Sequence, residues 1–397
     1  MNIVMIGPFA FKPKSTVSAR ALLIAQALVR RGHQVTILMP PYDNLADSGR
    51  IWEQEGVRLE NMHLRRDDAW HRLVVPLRMA RQAAGLRPDV VHVFKPIGYS
   101  GLAGLYLRRL SRLAVVLDTD DWEGTGGWTS MNPYPALMKR FFNWQERWLA
   151  CHAHAVTVAS RTLQGQVWGF GVDPARVTYL PNGPDPALRE QPPVTSDQIA
   201  RARAHLGVGD APLGLYVGHI PLGSDMDLAI QAMVRVCEKL PEARLAIAGL
   251  GDGLAGLQAQ AEALGVGEHV IFPGWLPRDE VPVYWAAADC AVNPYRDSLI
   301  SRSKCAVKGV LAMAMGKPVV ATRVGEHLEY VEHGRSGLLA DVDDLDGLAD
   351  ALVAVLSNRE WAAEMGRNAR QRIWEKYDWG TRAGLLEGVY QAAGERR

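Results

Sequence analysis

Short apolar runs alternate with amphipathic stretches along almost the whole chain. Residues 2–6, 35–39, 89–94, 114–118 and 155–159 are compact runs rich in Val, Ile, Leu and Ala. Runs that are apolar on both faces predict strands of a parallel sheet covered on both sides. Between them, residues 17–31, 73–84 and 134–150 carry apolar positions at helical spacing. Gly32-His33 breaks the first of these helices. The alternation stops over 181–212, where Pro181, Pro184, Pro186, Pro192, Pro193 and Pro212 crowd together, so an interdomain linker is expected there. A second alternation then begins, with strands expected at 213–217, 244–248, 269–272, 289–293, 318–321 and 337–340. Helices are expected at 227–239 and 254–264, and two more, near 361–375 and 379–393, close the chain. The pattern predicts an α/β protein of two doubly wound parallel-sheet domains. The first spans 1–185 and the second 186–375, with a final helical segment, 376–397, packing back toward the first. Such sheets take ligands at the carboxyl ends of their strands, so the chemistry is expected on strand-to-helix loops bordering a central cleft.

Composition agrees with two domains. There are 397 residues, of which 48% are apolar and 22% charged, which excludes a disordered chain. No apolar run reaches the length of a membrane-spanning helix, and the opening residues are too short a run for a signal peptide, so the cytoplasm is the expected location. The four cysteines, Cys151, Cys237, Cys290 and Cys305, are widely separated and form no CxxC pair. Buried reduced thiols are expected, with neither a zinc knuckle nor a disulfide framework.

Charge changes the picture more. Residues 1–185 carry 22 Lys and Arg against 15 Asp and Glu, whereas residues 186–397 carry 22 against 28. A basic first half suits an anionic acceptor or membrane surface, and also an unevenly solvated surface. Residues 64–87 place six arginines around Leu73, Val74, Val75, Leu77 and Met79. That reads as a helix lying on an anionic membrane or as one packing its apolar face on its own sheet.

Four groups of residues are candidates for chemistry. Gly251-Asp252-Gly253-Leu254-Ala255-Gly256 is a literal GxGxxG after a strand and before a helix. Its position, on the second strand of the second domain, favours close packing or approach to a phosphate over dinucleotide binding. Asp118-Thr119-Asp120-Asp121 ends a strand and opens the loop containing Trp122, Glu123 and Trp128. Carboxylates there suit metal ligation, general-base work or hydroxyl binding, or simply loop capping; with no other metal-type cluster beside them, hydroxyl binding or base work is favoured. Arg302, Lys304 and Lys308 precede or open a helical run, where free N–H groups and the helix dipole add to their charge to hold an anion. Cys151-His152-Ala153-His154 is too tightly spaced at a helix-to-strand junction to be expected as a metal site.

The chain also resembles the retaining glycosyltransferases of family 4, also called group 1, over nearly its whole length. Ala312-Met313-Ala314-Met315-Gly316-Lys317-Pro318-Val319-Val320-Ala321-Thr322 is similar to that family's AMACGTPVVAT segment. Glu332-His333-Gly334-Arg335-Ser336-Gly337-Leu338-Leu339 resembles its E-x-G-x-x-G-L-L segment, and residues 245–253 resemble its GDG turn. Residues 30–36, Pro181-Asn182-Gly183, Phe272-Pro273-Gly274-Trp275 and Ala286-Ala287-Ala288-Asp289 match further recurring pieces, in the family's order.

The resemblance implies a GT-B fold of two Rossmann-like domains facing a cleft. It implies transfer of a sugar from a nucleoside-diphosphate sugar to a hydroxyl, with retention of configuration, in glycan or glycoconjugate biosynthesis. Partners are then the nucleotide-sugar donor and a glycan, lipid-linked or small-molecule acceptor, with contact at the inner face of an anionic membrane, no nucleic acid and no metal cofactor. The chain departs from the family where donor chemistry is usual. The paired glutamates fall on Ser303 and Leu311, the basic pair on His219 and Ser224, and the first glycine loop on Ser15-Thr16-Val17-Ser18-Ala19. The histidine of the catalytic region falls on Asp120. Two readings remain open. In one, Asp120 and Asp121 are catalytic; His219, Gly251, Asp252, Gly253, Arg302, Ser303, Lys304 and Lys308 bind the donor; and Thr16, Ser18, Asp118, Trp122 and Glu123 bind the acceptor. In the other, the chain is a noncatalytic binding subunit that has lost its donor site.

Overall fold

Strands β1 (Asn2–Ile6), β2 (Gln34–Met39), β3 (Ile51–Gln54), β4 (Val57–Asn61), β5 (Val90–Phe94), β6 (Ala114–Thr119), β7 (Ala155–Val158) and β8 (Val177–Tyr179) form one sheet. Its order is β3-β4-β2-β1-β5-β6-β7-β8, parallel throughout except for the β3–β4 pair. Strands β9 (Leu213–Val217), β10 (Arg244–Ala248), β11 (Val270–Ile271), β12 (Cys290–Asn293), β13 (Val319–Thr322) and β14 (Gly337–Ala340) form a second, fully parallel sheet in the order β11-β10-β9-β12-β13-β14. The computed structural model describes residues 1–11, 16–66 and 69–396. The chain divides into two compact units. The first comprises Met1–Asn182, Arg302–Cys305 and Trp379–Arg397, and the second Gly183–Ser301 and Ala306–Asp378.

The continuous apolar runs became central strands. β1, β5 and β6 are buried along nearly their whole length, as strands covered on both faces must be. The β3–β4 hairpin was not visible in the pattern. Its two-residue turn puts Glu55 at φ 48° and Gly56 at φ 76°. Two positive φ values make the hairpin turn whose twist matches the strands, but Glu is an unusual residue for the first of them.

Residues 181–212 are not a bare linker. Ser196–Leu206 is a helix whose N-terminus is closed by a capping box between Thr195 and Gln198. His205 bonds to the Tyr284 hydroxyl and so fixes this helix against the helix Val281–Ala287. Helix Ala69–Gly85, within the basic stretch 64–87, turns Val75, Met79, Ala80 and Ala83 inward. Part of its apolar face therefore packs on its own unit, as one of the two readings of this stretch expects, while Trp70 and Leu73 are exposed. Asp67 and Asp68 lie outside the described residues. The four cysteines are all free, two of them buried and two half-buried.

The final helix, Trp379–Glu395, packs on the first sheet and joins a buried polar chain. Thr157 Oγ1 donates to Asp118 Oδ2 at 2.6 Å, and His92 Nε2 lies 3.2 Å from that hydroxyl. The Thr157 proton is committed to Asp118, so His92 donates from Nε2. Its Nδ1, 2.9 Å away, then accepts from the Tyr390 hydroxyl. Burial, opposed by Asp118, pushes the His92 imidazole down to about 4. The unfolded chain binds a proton between pH 6.5 and 4 that the folded chain refuses, so stability falls as pH drops through that window. Wild type should lose about 1.4 kcal/mol per pH unit there relative to His92→Gln. Urea unfolding of both proteins at pH 7 and pH 5 measures the difference, and parallel pH curves would refute it.

Candidate functional site

The first cluster forms where β5 and β6 end. Asp118, on β6, is fully buried and paired with Arg20. Arg20 sits in a five-residue π turn, Val17–Ala21, which follows Thr16. Its Nε and Nη2 donate to the two Asp118 oxygens at 2.8 and 2.7 Å. It also donates to Asn182 Oδ1 at 2.8 Å and to the Leu180 carbonyl at 2.9 Å. Asp118 therefore anchors β6 to the turn. Despite burial, Arg20 holds its carboxyl below the usual range. Of the other residues expected on the acceptor side here, Thr16 and Ser18 are half-buried at that turn, and Ser15 lies outside the described residues.

Lys95 follows β5 directly with φ 66°, and the sequence reading missed it. Its ammonium lies 3.1 Å from Asp120, 2.6 Å from Asp121 and 2.7 Å from Glu123. Those three carboxylates are close enough together to hold a metal ion. Lys95 occupies the position the ion would take, so the cluster carries its own cation. Burial pushes Asp120 and Glu123 up, while Lys95 pulls them down. Glu123 is buried and engaged with Lys95. The Glu123 N–H donates to Glu146 Oε1 at 3.1 Å, and burial raises the Glu146 carboxyl to about 7. Asp121 is the most open of the three acids, with 27% of its side chain exposed, against 11% for Asp120 and 7% for Glu123. The following loop folds back on itself, with the Trp128 N–H donating to the Trp122 carbonyl at 2.9 Å.

The expected cation group Arg302, Lys304 and Lys308 is divided between the two units. Arg302, Ser303 and Lys304 belong to the first unit and Lys308 to the second. Ser303 is fully buried, and its hydroxyl accepts from the Trp122 N–H at 3.3 Å. It therefore supports that loop. The Lys304 ammonium lies 5.8 Å from the centre of the Trp128 ring. The Cys305 sulfur accepts from the Asn182 N–H at 3.0 Å.

The second cluster lies at the carboxyl ends of β9 and β10. Lys308, in the first turn of helix Val307–Ala314, donates to the Tyr216 hydroxyl and lies 3.5 Å from the His219 carbonyl. A Cβ on Gly218 would come within 2.3 Å of Lys308 Cε, so only glycine lets the lysine lie across this turn. The His219 Nδ1 donates to the Leu250 carbonyl at 3.0 Å, which leaves Nε2 as an acceptor in the neutral ring. Gly251 has φ 152°, and a Cβ there would meet the Ile220 carbonyl at 2.0 Å. The GxGxxG stretch thus packs two strand-to-helix loops together, with Gly253 buried and Asp252 exposed.

The remaining recurring segments are structural. Asp289 accepts from the Leu213 N–H at 2.7 Å, and Lys317 donates to the Ala288 carbonyl at 2.7 Å. In the Cys151–His154 stretch, Cys151 donates to the Phe170 carbonyl and His154 Nδ1 accepts from the Val115 N–H, so the side chains share no centre.

Two family models match the chain. The glycosyl transferase 4-like domain matches residues 15–183, and the glycosyl transferases group 1 model matches residues 198–372. A GDP-mannose-dependent alpha-(1-6)-phosphatidylinositol monomannoside mannosyltransferase of Mycolicibacterium smegmatis is 29% identical over 298 residues, 75% of each protein. Among solved structures, Anabaena HepE in complex with UDP and glucose has a TM-score of 0.76 at 19% identity, covering 99% of this chain and all of that one. Sucrose-phosphate synthase of Thermosynechococcus elongatus also has a TM-score of 0.76, at 22% identity, with both chains fully covered. With both models matched in sequence order, and with both solved structures matched over nearly the whole chain, the chain belongs to the group 1 glycosyltransferases and has the GT-B fold.

Proposed function

We propose that the chain moves a glycosyl group from a nucleoside-diphosphate sugar to an acceptor hydroxyl, with retention of anomeric configuration. The observation that carries this reading is Lys308, held over Tyr216 and the His219 carbonyl in the first turn of a helix. As the bond from the anomeric carbon to the diphosphate breaks, negative charge grows on the departing oxygen. A fixed ammonium backed by a helix N-terminus stabilises that charge. The new bond forms from the acceptor oxygen to the anomeric carbon, and the acceptor proton passes to the departing phosphate. Asp120 and Asp121 bind the acceptor hydroxyl, held in place by Lys95, with Trp122 next to them in the chain, and Lys304 adds positive charge for the donor. Arg302 adds positive charge. The acceptor is a glycan or a lipid-linked sugar, and the protein works at an anionic membrane surface.

Lys308→Ala should lower kcat/KM about 10²–10³-fold with a proven donor, while Lys308→Arg keeps part of the activity. Unchanged turnover in Lys308→Ala would remove the phosphate role assigned to Lys308. Because Lys95 fills the acidic cluster, transfer should continue in excess EDTA. Loss of activity on chelation, restored by a divalent ion, would overturn the metal-free account. Leu311 and the buried Ser303, at the positions of the family's two glutamates, favour the noncatalytic alternative. Transfer of sugar by purified protein decides against it.

A further inference from the structure

Helix Ala136–His152 carries two apolar stripes. One, through Phe142, Leu149 and Ala150, faces the core of the first unit. The other runs through Leu137, Phe141, Trp144 and Trp148, spaced by four, three and four residues. At 3.6 residues per turn it lies about 130° around the helix from the buried stripe. Leu137 is 80% exposed, Phe141 38% and Trp144 45%, and Trp148 is half-buried. The rings form a continuous row, with centroids 5.7 Å apart for Phe141 and Trp144 and 6.0 Å apart for Trp144 and Trp148. Met131, at the end of the preceding short helix, is 72% exposed.

The charges around the stripe have one sign. Arg140 and Arg147 are exposed along one flank, and the Arg109 guanidinium lies 5.0 Å from the Trp148 ring centre. The only acid in the helix, Glu146, is buried and faces the other way. Exposed aromatic rings beside arginines, with no carboxylate among them, are the composition of a surface that rests at the boundary between headgroups and acyl chains. A protein partner would need acids to meet these arginines, whereas an anionic bilayer supplies both the negative charge and the apolar layer. No described helix is long and apolar enough to cross a membrane, so the contact is peripheral.

We propose that the stripe Leu137–Phe141–Trp144–Trp148, flanked by Arg109, Arg140 and Arg147, docks the first unit onto an anionic lipid surface. This rests on the reading above that the protein works at such a surface, and it moves the contact from residues 64–87 to helix Ala136–His152.

The test is co-sedimentation of the full chain with vesicles of phosphatidylcholine alone and of phosphatidylcholine with 30 mol% phosphatidylglycerol, at about 0.1 M salt. Wild type should bind the anionic vesicles at least tenfold more strongly than the neutral ones. Phe141→Ser/Trp144→Ser and Arg140→Glu/Arg147→Glu should each reduce that binding at least tenfold. All four positions are exposed, so both variants should keep the wild-type melting temperature. Equal binding by wild type and both variants would overturn the proposal, as would wild type that does not sediment with the anionic vesicles. A wild-type dimer that Phe141→Ser/Trp144→Ser makes monomeric, without vesicle binding, would overturn it in favour of contact between copies. Nucleoside-diphosphate binding, measured in the same variants without lipid, should be unchanged. Its absence in wild type would count against the transferase reading and not against the docking surface.

Discussion

Arg20→Met should lower the stability of the first unit by about 3–5 kcal/mol, among the largest losses expected from a single substitution in this chain. The reason lies in what remains. Arg20 is 2% exposed and Asp118 is fully buried. Removing the guanidinium leaves a carboxylate away from water with only the Thr157 hydroxyl to answer it. It also releases Asn182 and the Leu180 carbonyl, which Arg20 ties to β6. If the loss comes from the stranded charge, removing that charge restores stability, so Arg20→Met/Asp118→Leu should be more stable than Arg20→Met alone. Urea unfolding followed by circular dichroism gives both values. A double variant no better than the single one would show that the loss comes from packing and not from the unpaired carboxylate.

Lys95→Met should be nearly as severe and should also reach activity. Asp120, Asp121 and Glu123 would face one another without their cation, at a cost of about 3–5 kcal/mol when ionised. Burial already raises the proton affinity of Asp120 and Glu123, and with the cation gone it rises further above that of the unfolded chain. The folded protein then binds more protons, so the deficit is smallest near pH 5 and grows as pH rises toward 8. Glu123→Gln in the same chain removes one repelling charge and should recover part of the loss. Because Asp121 and Asp120 are held by Lys95, turnover should fall more than a hundredfold even where the variant remains folded. A Lys95→Met protein whose stability deficit is independent of pH would contradict the electrostatic account of this cluster.

Much of this architecture was legible because burial on both faces leaves a plain mark. β1, β9, β10 and β14 fall where continuous apolar runs predicted them. The final helix, Trp379–Glu395, falls where the sequence predicts one over 379–393, although its role in burying His92 through Tyr390 is a tertiary fact. The β3–β4 hairpin escaped because Glu55 takes a left-handed conformation that its residue type does not advertise. Helix Ser196–Leu206 was hidden by the prolines before it, although Thr195 and Gln198 spell its cap.

The candidate site was legible by residue type but not by partner. The Asp118–Asp121 run was visible, but only the fold separates Asp118, neutralised by Arg20, from Asp121, which reaches solvent. Lys95 carried a faint signal, a lone cation at the carboxyl end of a buried strand, next to the strand bearing the aspartates. Arg302, Lys304 and Lys308 look like one cluster in sequence because they are close along the chain, and the fold assigns them to different units. The aromatic stripe on helix Ala136–His152 has the same period as a core face, so its exposure was not visible in the sequence.

The most direct test of the central claim is a calorimetric titration of the purified chain with uridine, guanosine and adenosine diphosphates, repeated with Lys308→Ala. The account predicts that at least one nucleoside diphosphate binds wild type and that Lys308→Ala weakens it at least tenfold, about 1.4 kcal/mol. If none of the three binds wild type, the donor site proposed around Lys308 is contradicted.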